Sequence, residues 1–268
     1  MFEYVFMQRG ILVGILLGAI IPLVTVVLKR LSMIGDALSH TSLAGVAGGM
    51  IAGINPVAGA IAACLGGALC VEGVRRHFKD QSELAVAIVM AAGIGLAGVL
   101  SGFVPNSSSF NSFMFGSILT VSEQEVQMIV VISVLAVAFC FFLRKELFLM
   151  SFDERHARCV GVPVSLINFG FVIAVALVVA VAARTVGSLI VSSMMVVPVA
   201  CALQISRSWK QCCLYASTVG MLTSLGGLVV SYELGLKPGG TIVLLAVVTL
   251  LFIFLVKRVV LLLKTRTV

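Results

Sequence analysis

Charged residues are scarce in this chain. Only 11% of its 268 residues are Asp, Glu, Lys or Arg, whereas a soluble domain carries about a quarter. Hydrophobic residues make up 60%, and the mean hydropathy is +1.20. Several apolar runs approach the roughly 20 residues that a membrane-spanning helix needs, and strand-like alternation is not sustained. The composition therefore excludes an ordinary soluble domain and indicates an integral membrane protein built from helices.

Several chemical motifs are also missing. The sequence has no GxxxxGK[ST] phosphate-binding loop, so it does not bind and hydrolyse ATP in the P-loop manner. Its seven cysteines form no CxxC pair, and small core residues are the best interpretation of most of them. Only three histidines occur, and His77 and His156 fall in predicted cytoplasmic loops. We therefore predict that the chain is not an enzyme and holds no permanently bound cofactor.

The apolar runs predict an all-α polytopic membrane protein with about nine transmembrane helices in a single domain, residues 1–268. A shorter and more polar segment, 111–125, is predicted to form a re-entrant or interfacial helix. The predicted spans are 11–28, 38–54, 56–74, 84–104, 126–143, 164–183, 186–205, 212–232 and 240–262.

The distribution of Lys and Arg predicts the orientation, because cytoplasmic loops of membrane proteins are enriched in both. With the N-terminus outside and the C-terminus in the cytoplasm, the outer side keeps only Arg9, Arg184 and Lys237, and the other 15 of the 18 basic residues face the cytoplasm. The basic residues occur in short clusters between apolar runs, which is a topology signal and does not predict a nucleic-acid partner. Residues 105–111 are then outside and residues 144–163 inside.

Two features of the spans have both a structural and a functional interpretation. Gly45, Gly49 and Gly53 recur every four residues and predict a smooth helix face packed closely on a neighbour, although such spacing is common in glycine-rich chains. Pro198 interrupts the apolar run 186–205 and predicts a kink. That helix is either an ordinary kinked core helix or a pore-lining helix that bends during gating.

The longest polar insertion is the predicted cytoplasmic loop 144–164, RKELFLMSFDERHARCVGVPV. Its part SFDERHARCVG predicts a short amphipathic helix that Ser151 or Asp153 caps and that Gly161 ends. Phe152, Ala157 and Val160 would form the apolar side of this helix. The loop is either a solvated connector or a helix that seats in a groove of a partner subunit.

Asp36 and His40 are separated by four residues, in IGDALSH, and so share one face of a helix. A carboxylate oxygen and an imidazole nitrogen together suit Zn²⁺ or Mn²⁺. Ionisable residues inside membrane segments are costly, and they often mark a transport path. The alternative is that Asp36 caps the helix and His40 faces the lipid headgroups. Two ligands are too few for a closed site, so a metal would pass through, with other groups or a second copy of the chain completing its coordination.

Five segments give the chain a family resemblance. In their order along the sequence, they resemble the permeases of the zinc/manganese/iron family of ABC transporters across nearly the whole chain. These segments are LKRLSMIGDALSHTSLAGVA (28–47), MFGSILTVSEQEV (114–126), MSFDERHARCVGV (150–162), VGSLIVSSMMVVPVACA (186–202) and KPGGTIVLL (237–245).

The resemblance implies a permease like those of type II ABC importers, working as a homodimer in a bacterial plasma or inner membrane and surrounded by lipid. Each copy would dock on a cytoplasmic ATP-binding subunit, and an extracytoplasmic metal-binding protein would deliver the metal. The family's coupling segment falls at about 147–163, with Phe152, Asp153, Ala157 and Gly161 as its candidate contact residues. The family's metal pair falls on Asp36 and His40, and an acidic residue before the fourth span falls on Glu83.

The expected function is import of a divalent transition metal, with zinc favoured on general likeness and manganese or iron as alternatives. A secondary transporter driven by an ion gradient is the competing class. It would need intramembrane carboxylates and usually inverted repeats, and few acidic residues lie deep in the spans. A membrane-embedded enzyme is a third class, which the shortage of paired catalytic residues disfavours.

Overall fold

The structure is a computed structural model that describes residues 5–20, 33–77, 82–105, 107–116 and 122–266. These residues form twelve α-helices and one π-helical turn. In chain order the elements are α1 (Val5–Ile20), α2 (Ile34–Ile51), α3 (Pro56–His77), α4 (Ser82–Ser101), α5 (Ser107–Phe115), α6 (Glu123–Phe142), α7 (Arg144–Phe152), α8 (Glu154–Cys159), α9 (Val164–Ala182), the π turn (Ala183–Gly187), α10 (Ser188–Ile205), α11 (Trp209–Leu234) and α12 (Pro238–Arg266).

Six helices within the described ranges are long and apolar enough to cross a membrane, which makes the chain a multi-pass membrane protein. They are α3, α4, α6, α9, α11 and α12. The apolar parts of α1 and α10 are shorter, and α2 has 18 residues. The predicted first span, 11–28, extends into residues 21–32, which lie outside the described residues. A helix thus occurs at each of the nine predicted positions, while the count of nine membrane crossings stays a prediction.

Helix α9 lies at the centre of the bundle. It contacts α2, α3, α6 and α10, and its side chains are buried along most of its length, with Phe171, Val175 and Val179 fully enclosed. Helix α1 packs on α11, and α11 packs in turn on α10 and α12. Helix α2 lies between α3 and α4 and also touches α10. The largest cluster of buried apolar residues therefore draws on all the long helices, and two smaller clusters lie around Val57 and Phe110 and around Val199 and Cys212.

Glycine lets α2 approach its neighbours closely. A Cβ on Gly45 would collide with the backbone carbonyl of Gly59 in α3, and one on Gly49 would lie 3.2 Å from the Cα of Pro56. The predicted smooth helix face is confirmed for Gly45 and Gly49. Gly53 lies beyond the end of α2, where its φ of +69° makes the turn toward α3. Backbone contact of this kind replaces the hydrophobic driving force that is weak between helices in lipid.

The predicted short helix in 111–125 is present but begins earlier, as α5, at Ser107. Residues 117–121 lie outside the described residues, and Ser122 already belongs to the start of α6. The Ser122 hydroxyl accepts from the Glu125 backbone N–H at 3.3 Å, and the Glu125 carboxylate accepts from the Ser122 N–H at 2.7 Å. This reciprocal capping box starts α6 several residues before the predicted span, and the spacing S-x-x-E was its signal in the sequence.

Candidate functional site

Asp36 and His40 lie on the same face of α2, near its N-terminal end. The distance from the His40 Nε2 to the Asp36 Oδ1 is 3.7 Å, longer than a hydrogen bond but short enough for two groups that share one ion. The side chain of Asp36 is 38% exposed and that of His40 is 19% exposed. Helix α2 is preceded by Met33, which makes no capping hydrogen bond through its side chain, and Asp36 is the third residue of the helix. The pair is thus accessible and not sealed into the apolar core.

The packing of α2 places the pair well inside the bundle. A Cβ on Gly93 of α4 would lie 3.2 Å from the carbonyl carbon of His40, and a Cβ on Gly67 of α3 would lie 2.9 Å from the Thr41 hydroxyl. Gly67 and Gly93 are both near the middle of their helices. His40 is therefore level with the centres of α3 and α4 and not with their ends.

The polar neighbours of the pair bond to the backbone of α2. The Ser39 hydroxyl donates to the Gly35 carbonyl at 2.7 Å, and the Thr41 hydroxyl donates to the Leu38 carbonyl at 2.9 Å. Within the described ranges, no three His, Cys, Asp or Glu side chains are grouped as a metal site would require. The described part of one copy thus provides two candidate ligands, which fits a transit site better than a resident one.

Glu83 is not brought to the pair. It lies in the first turn of α4 and is exposed, ten residues before Gly93, which corresponds to about 15 Å along the helix axis. Asp36 and His40 therefore lie together, whereas Glu83 lies at the N-terminal end of α4. Residues 78–81, which precede this end, lie outside the described residues.

The predicted helix is present as α8, between the cap at Asp153 and the stop at Gly161. The alternative cap, Ser151, is wrong, because Ser151 lies inside a second helix, α7, which Asp153 separates from α8 with extended backbone angles (φ −150°, ψ 110°). Asp153 caps α8, as predicted: its Oδ1 accepts from the backbone N–H groups of Arg155 at 2.8 Å and His156 at 3.2 Å. Those two N–H groups, His156 first, hold the pKa of the Asp153 carboxyl below its ordinary value.

The predicted apolar side of this segment is also only partly correct. Ala157 is fully buried, but Phe152 is 72% exposed and Val160 is 62% exposed. Gly161 ends the segment as predicted, with a φ of +87° that favours glycine, and the Val162 N–H returns to the Ala157 carbonyl at 3.1 Å. Ala157 thus anchors α8 to the bundle, and the large apolar side chains face away from it.

Two contacts of this segment were not predicted. The Phe148 ring lies 4.9 Å from the Phe152 ring and 5.5 Å from the ring of Trp209, the first residue of α11. The Asn168 amide in α9 donates to the Glu154 carboxylate at 3.2 Å. A signal for each existed: Trp209 is the only tryptophan, and Asn168 is the only amide side chain in the apolar run Val164–Ala182. Neither signal identifies the partner.

Comparison with known proteins finds similarity along nearly the whole chain. The model of the ABC 3 transport family matches residues 3–257. A "Probable metal transport system membrane protein" of Treponema pallidum is 34% identical, and the alignment covers 97% of this chain and 98% of that protein. The manganese import system permease protein ScaB of Streptococcus parasanguinis is 29% identical, over 95% of this chain and 91% of that protein.

Among solved structures, the fold is similar to that of PsaBC from Streptococcus pneumoniae, determined in complex with a Fab. The TM-score is 0.80 at 28% sequence identity, and the match covers 94% of this chain and 92% of that chain. The similarity therefore extends to the arrangement of the helices and is not limited to short motifs.

The Asp153 cap leads to a prediction about the stability of the start of α8 and its dependence on pH. A carboxyl whose pKa is lowered on folding stabilises the structure above its unfolded pKa of about 3.9, and this stabilisation is lost as the pH falls through the lower folded value. We expect Asp153→Ala to increase amide hydrogen exchange at residues 155 and 156 by about fivefold at pH 7, because the acceptor is lost. Asp153→Asn should retain protection, since Asn caps as well as Asp. Equal exchange in the Ala variant and the parent would contradict this role.

Proposed function

Since the chain belongs to the ABC 3 transport family, we propose that it is the permease of an ABC importer that moves a divalent transition metal into the cytoplasm. A separate cytoplasmic subunit would hydrolyse ATP, in keeping with the lack of a P-loop motif in this sequence. An extracytoplasmic metal-binding protein would deliver the ion. The name of ScaB, which specifies import and a permease, supports the direction of transport. An ion-coupled secondary transporter has less support, because the family match covers nearly the whole chain.

The observation that carries this proposal is the Asp36–His40 pair at mid-depth of the bundle. A carboxylate and an imidazole 3.7 Å apart can bind one ion together, and incomplete coordination allows the ion to leave again. In a homodimer, the same pair from a second copy would lie near the two-fold axis and complete the coordination. Oxygen and nitrogen ligands suit Zn²⁺ and Mn²⁺ alike, and the manganese named for ScaB gives Mn²⁺ the more direct support, against our sequence-based preference for zinc.

We propose that residues 147–163 form the docking segment for the ATP-binding subunit. Phe152 is large, apolar and mostly exposed, although it lies beside the charged residues Asp153 and Glu154, so a partner surface is the simplest account of its position. Ala157 holds α8 on the bundle, and the turn at Gly161 returns the chain to α9. Closure of the ATP-binding subunits would move this segment and shift the helices around Asp36 and His40.

The surface of the bundle and its basic residues support the proposed lipid contact and orientation. Large apolar side chains are exposed along α6 and α12, as contact with lipid requires, and Phe142 and Leu244 are examples. With the N-terminus outside, α6 runs inward to the docking segment and α9 runs outward from it. The cytoplasmic side then receives Arg144, Lys145, Arg155 and Arg158, in agreement with the usual excess of basic residues there.

Metal transport tests the site directly. We expect Asp36→Asn and His40→Ala to reduce uptake of radiolabelled Mn²⁺ or Zn²⁺ by about tenfold or more, because the first removes the negative charge of the carboxylate and the second removes the imidazole nitrogen. The assay uses the full transporter in membranes, with uptake normalised to the amount of permease.

The matched control is Gly48→Ala, also on α2, where an added Cβ meets no atom within 4 Å. It should transport like the parent. Asp36→Asn keeps the size and the capping ability of the side chain. Near-parental uptake by this variant would therefore reject the metal path and leave Asp36 as a local helix-stabilising group.

Docking is tested by placing a charge at the exposed ring. Phe152→Asp should reduce co-purification of the ATP-binding subunit by about tenfold or more, because a buried interface anchor contributes much of the binding energy and an unpaired charge there is costly. Gly161→Trp should also disturb the segment, since its φ of +87° disfavours other residues.

The control for docking is Leu236→Asp, which introduces the same charge at an exposed leucine beyond the C-terminal end of α11. That end of the bundle is opposite to Trp209 and the docking segment. The control should leave co-purification unchanged. Normal association and transport by both docking variants would show that the segment does not bind the subunit.

Orientation is tested by cysteine labelling. In a background from which the seven native cysteines are removed, we expect Ser108→Cys to react with a membrane-impermeant maleimide from outside, and Ser151→Cys only after permeabilisation. Reaction of position 108 only from the cytoplasmic side would reverse the proposed topology.

A further inference from the structure

Helix α9 is the most buried of the six candidate spans. In its most apolar stretch, 61% of the residues are buried, whereas at most 39% of the residues are buried in the corresponding stretch of any of the other five helices. It is surrounded by α2, α3, α6 and α10. A helix enclosed on so many sides cannot bend locally without disturbing its neighbours, so it moves mainly as a rigid rod.

The docking segment is attached to this rod by a side-chain contact as well as by the chain itself. Residues 160–163 join α8 to α9, and Gly161 in this link has a φ of +87° and lies where an added Cβ would meet no atom within 4 Å. One turn into α9, the Asn168 amide Nδ2 donates to the Glu154 Oε1 at 3.2 Å. This hydrogen bond crosses the turn and restrains the angle between α8 and α9.

The two partners of this bond differ in their surroundings. Asn168 is only 2% exposed, whereas the Glu154 side chain is 42% exposed and lies 4.0 Å from the Arg158 guanidinium. A carboxylate that accepts from an enclosed amide forms a stronger hydrogen bond than two neutral groups would. Because Asn168 is buried, it cannot itself touch a docked subunit, and any effect of changing it must act through the elements packed around it.

The far end of α9 meets the outer side of the bundle. There the π turn ends at Gly187, whose φ is +103°. A Cβ at this glycine would lie 2.6 Å from backbone atoms of Met114, Phe115 and Gly116, at the end of α5. The Lys237 Nζ lies 4.0 Å from the centre of the Phe115 ring on the same element. Helix α9 therefore joins the docking segment to the π turn, and the π turn contacts the backbone at the end of α5.

We propose that Glu154 and Asn168 are positioning residues for transport: their hydrogen bond transmits the displacement of the docking segment to α9, and α9 carries it through the π turn to the outer helix α5. This inference rests on the proposed function, because it assumes an ATP-binding subunit that moves α7 and α8. Without the bond, the turn at Gly161 absorbs the displacement. ATP is then hydrolysed with little metal moved.

The experiment measures the number of Mn²⁺ ions imported per ATP hydrolysed, with the permease, its ATP-binding subunit and its metal-binding protein in liposomes. We expect Asn168→Leu, which is close in size, to lower this ratio about tenfold, the effect typical of losing a hydrogen bond to a charged group. Co-purification of the ATP-binding subunit should not change. Glu154→Gln keeps an acceptor oxygen but makes a weaker, neutral hydrogen bond, so it should lower the ratio by about two- to fourfold, less than Asn168→Leu does.

Double variants separate this bond from other roles of the two residues. If they act through one bond, Glu154→Leu combined with Asn168→Leu should be no worse than the more impaired single variant. Combining Glu154→Gln with Asn168→Asp exchanges donor and acceptor, and it should restore part of the ratio lost in Asn168→Asp alone. If Asn168→Leu is not recovered from membranes, the comparison of Glu154→Leu with Glu154→Gln replaces it.

An unchanged ratio in Asn168→Leu, or losses that simply add in the double variant, would overturn the inference. ATP-driven metal uptake by the parent protein in the same experiment would still support the proposed function. A parent that imports no Mn²⁺ or Zn²⁺ with ATP would reject the proposed function and this inference together. Loss of co-purification in Asn168→Leu would show that Asn168 supports docking itself, and would also overturn the positioning role.

Discussion

The close approach of α2 to α3 and α4 is the constraint on which the candidate site depends. Gly45 and Gly59 bring two backbones into contact, and Gly67 and Gly93 receive Thr41 and the backbone of His40 from either side. Helices in lipid gain little from burying apolar side chains, so this backbone contact contributes much of the packing. It also sets the depth of Asp36 and His40, because α2 cannot slide along glycine-lined grooves without introducing collisions.

A second constraint lies in the docking segment, where two short helices are held by local hydrogen bonds. Asp153 ends α7 and caps α8, Ala157 anchors α8, and Gly161 turns the chain back. Such short helices are marginal alone and depend on caps and tertiary contacts. The arrangement leaves Phe152 outside while keeping its backbone ordered, which suits a surface that must be ready for a partner before the partner arrives.

The two regions are connected through the bundle. Helix α9 packs against α2, and near its start Asn168 donates to Glu154 of α8. In the proposed transport cycle, motion of the docking segment would therefore reach Asp36 and His40 through packed helices and not through a flexible tether. A transit site with two ligands per copy fits this arrangement, because small shifts of α2 are enough to change the coordination of an ion.

The sequence by itself determined the class of the protein, the positions of the helices and the spacing of Asp36 and His40, since hydropathy and helical periodicity are local properties of the chain. It also located the Asp153 cap and the Gly161 stop, which depend on neighbouring residues only. It did not determine the short helix α7 before Asp153, the outward position of Phe152, or the partners of Trp209 and Asn168. Those features depend on contacts between residues that belong to different helices, such as Asn168 with Glu154 across a turn and Phe148 with Trp209 across 61 positions. Only the packing of the whole bundle decided them, because no local pattern specifies which helices meet.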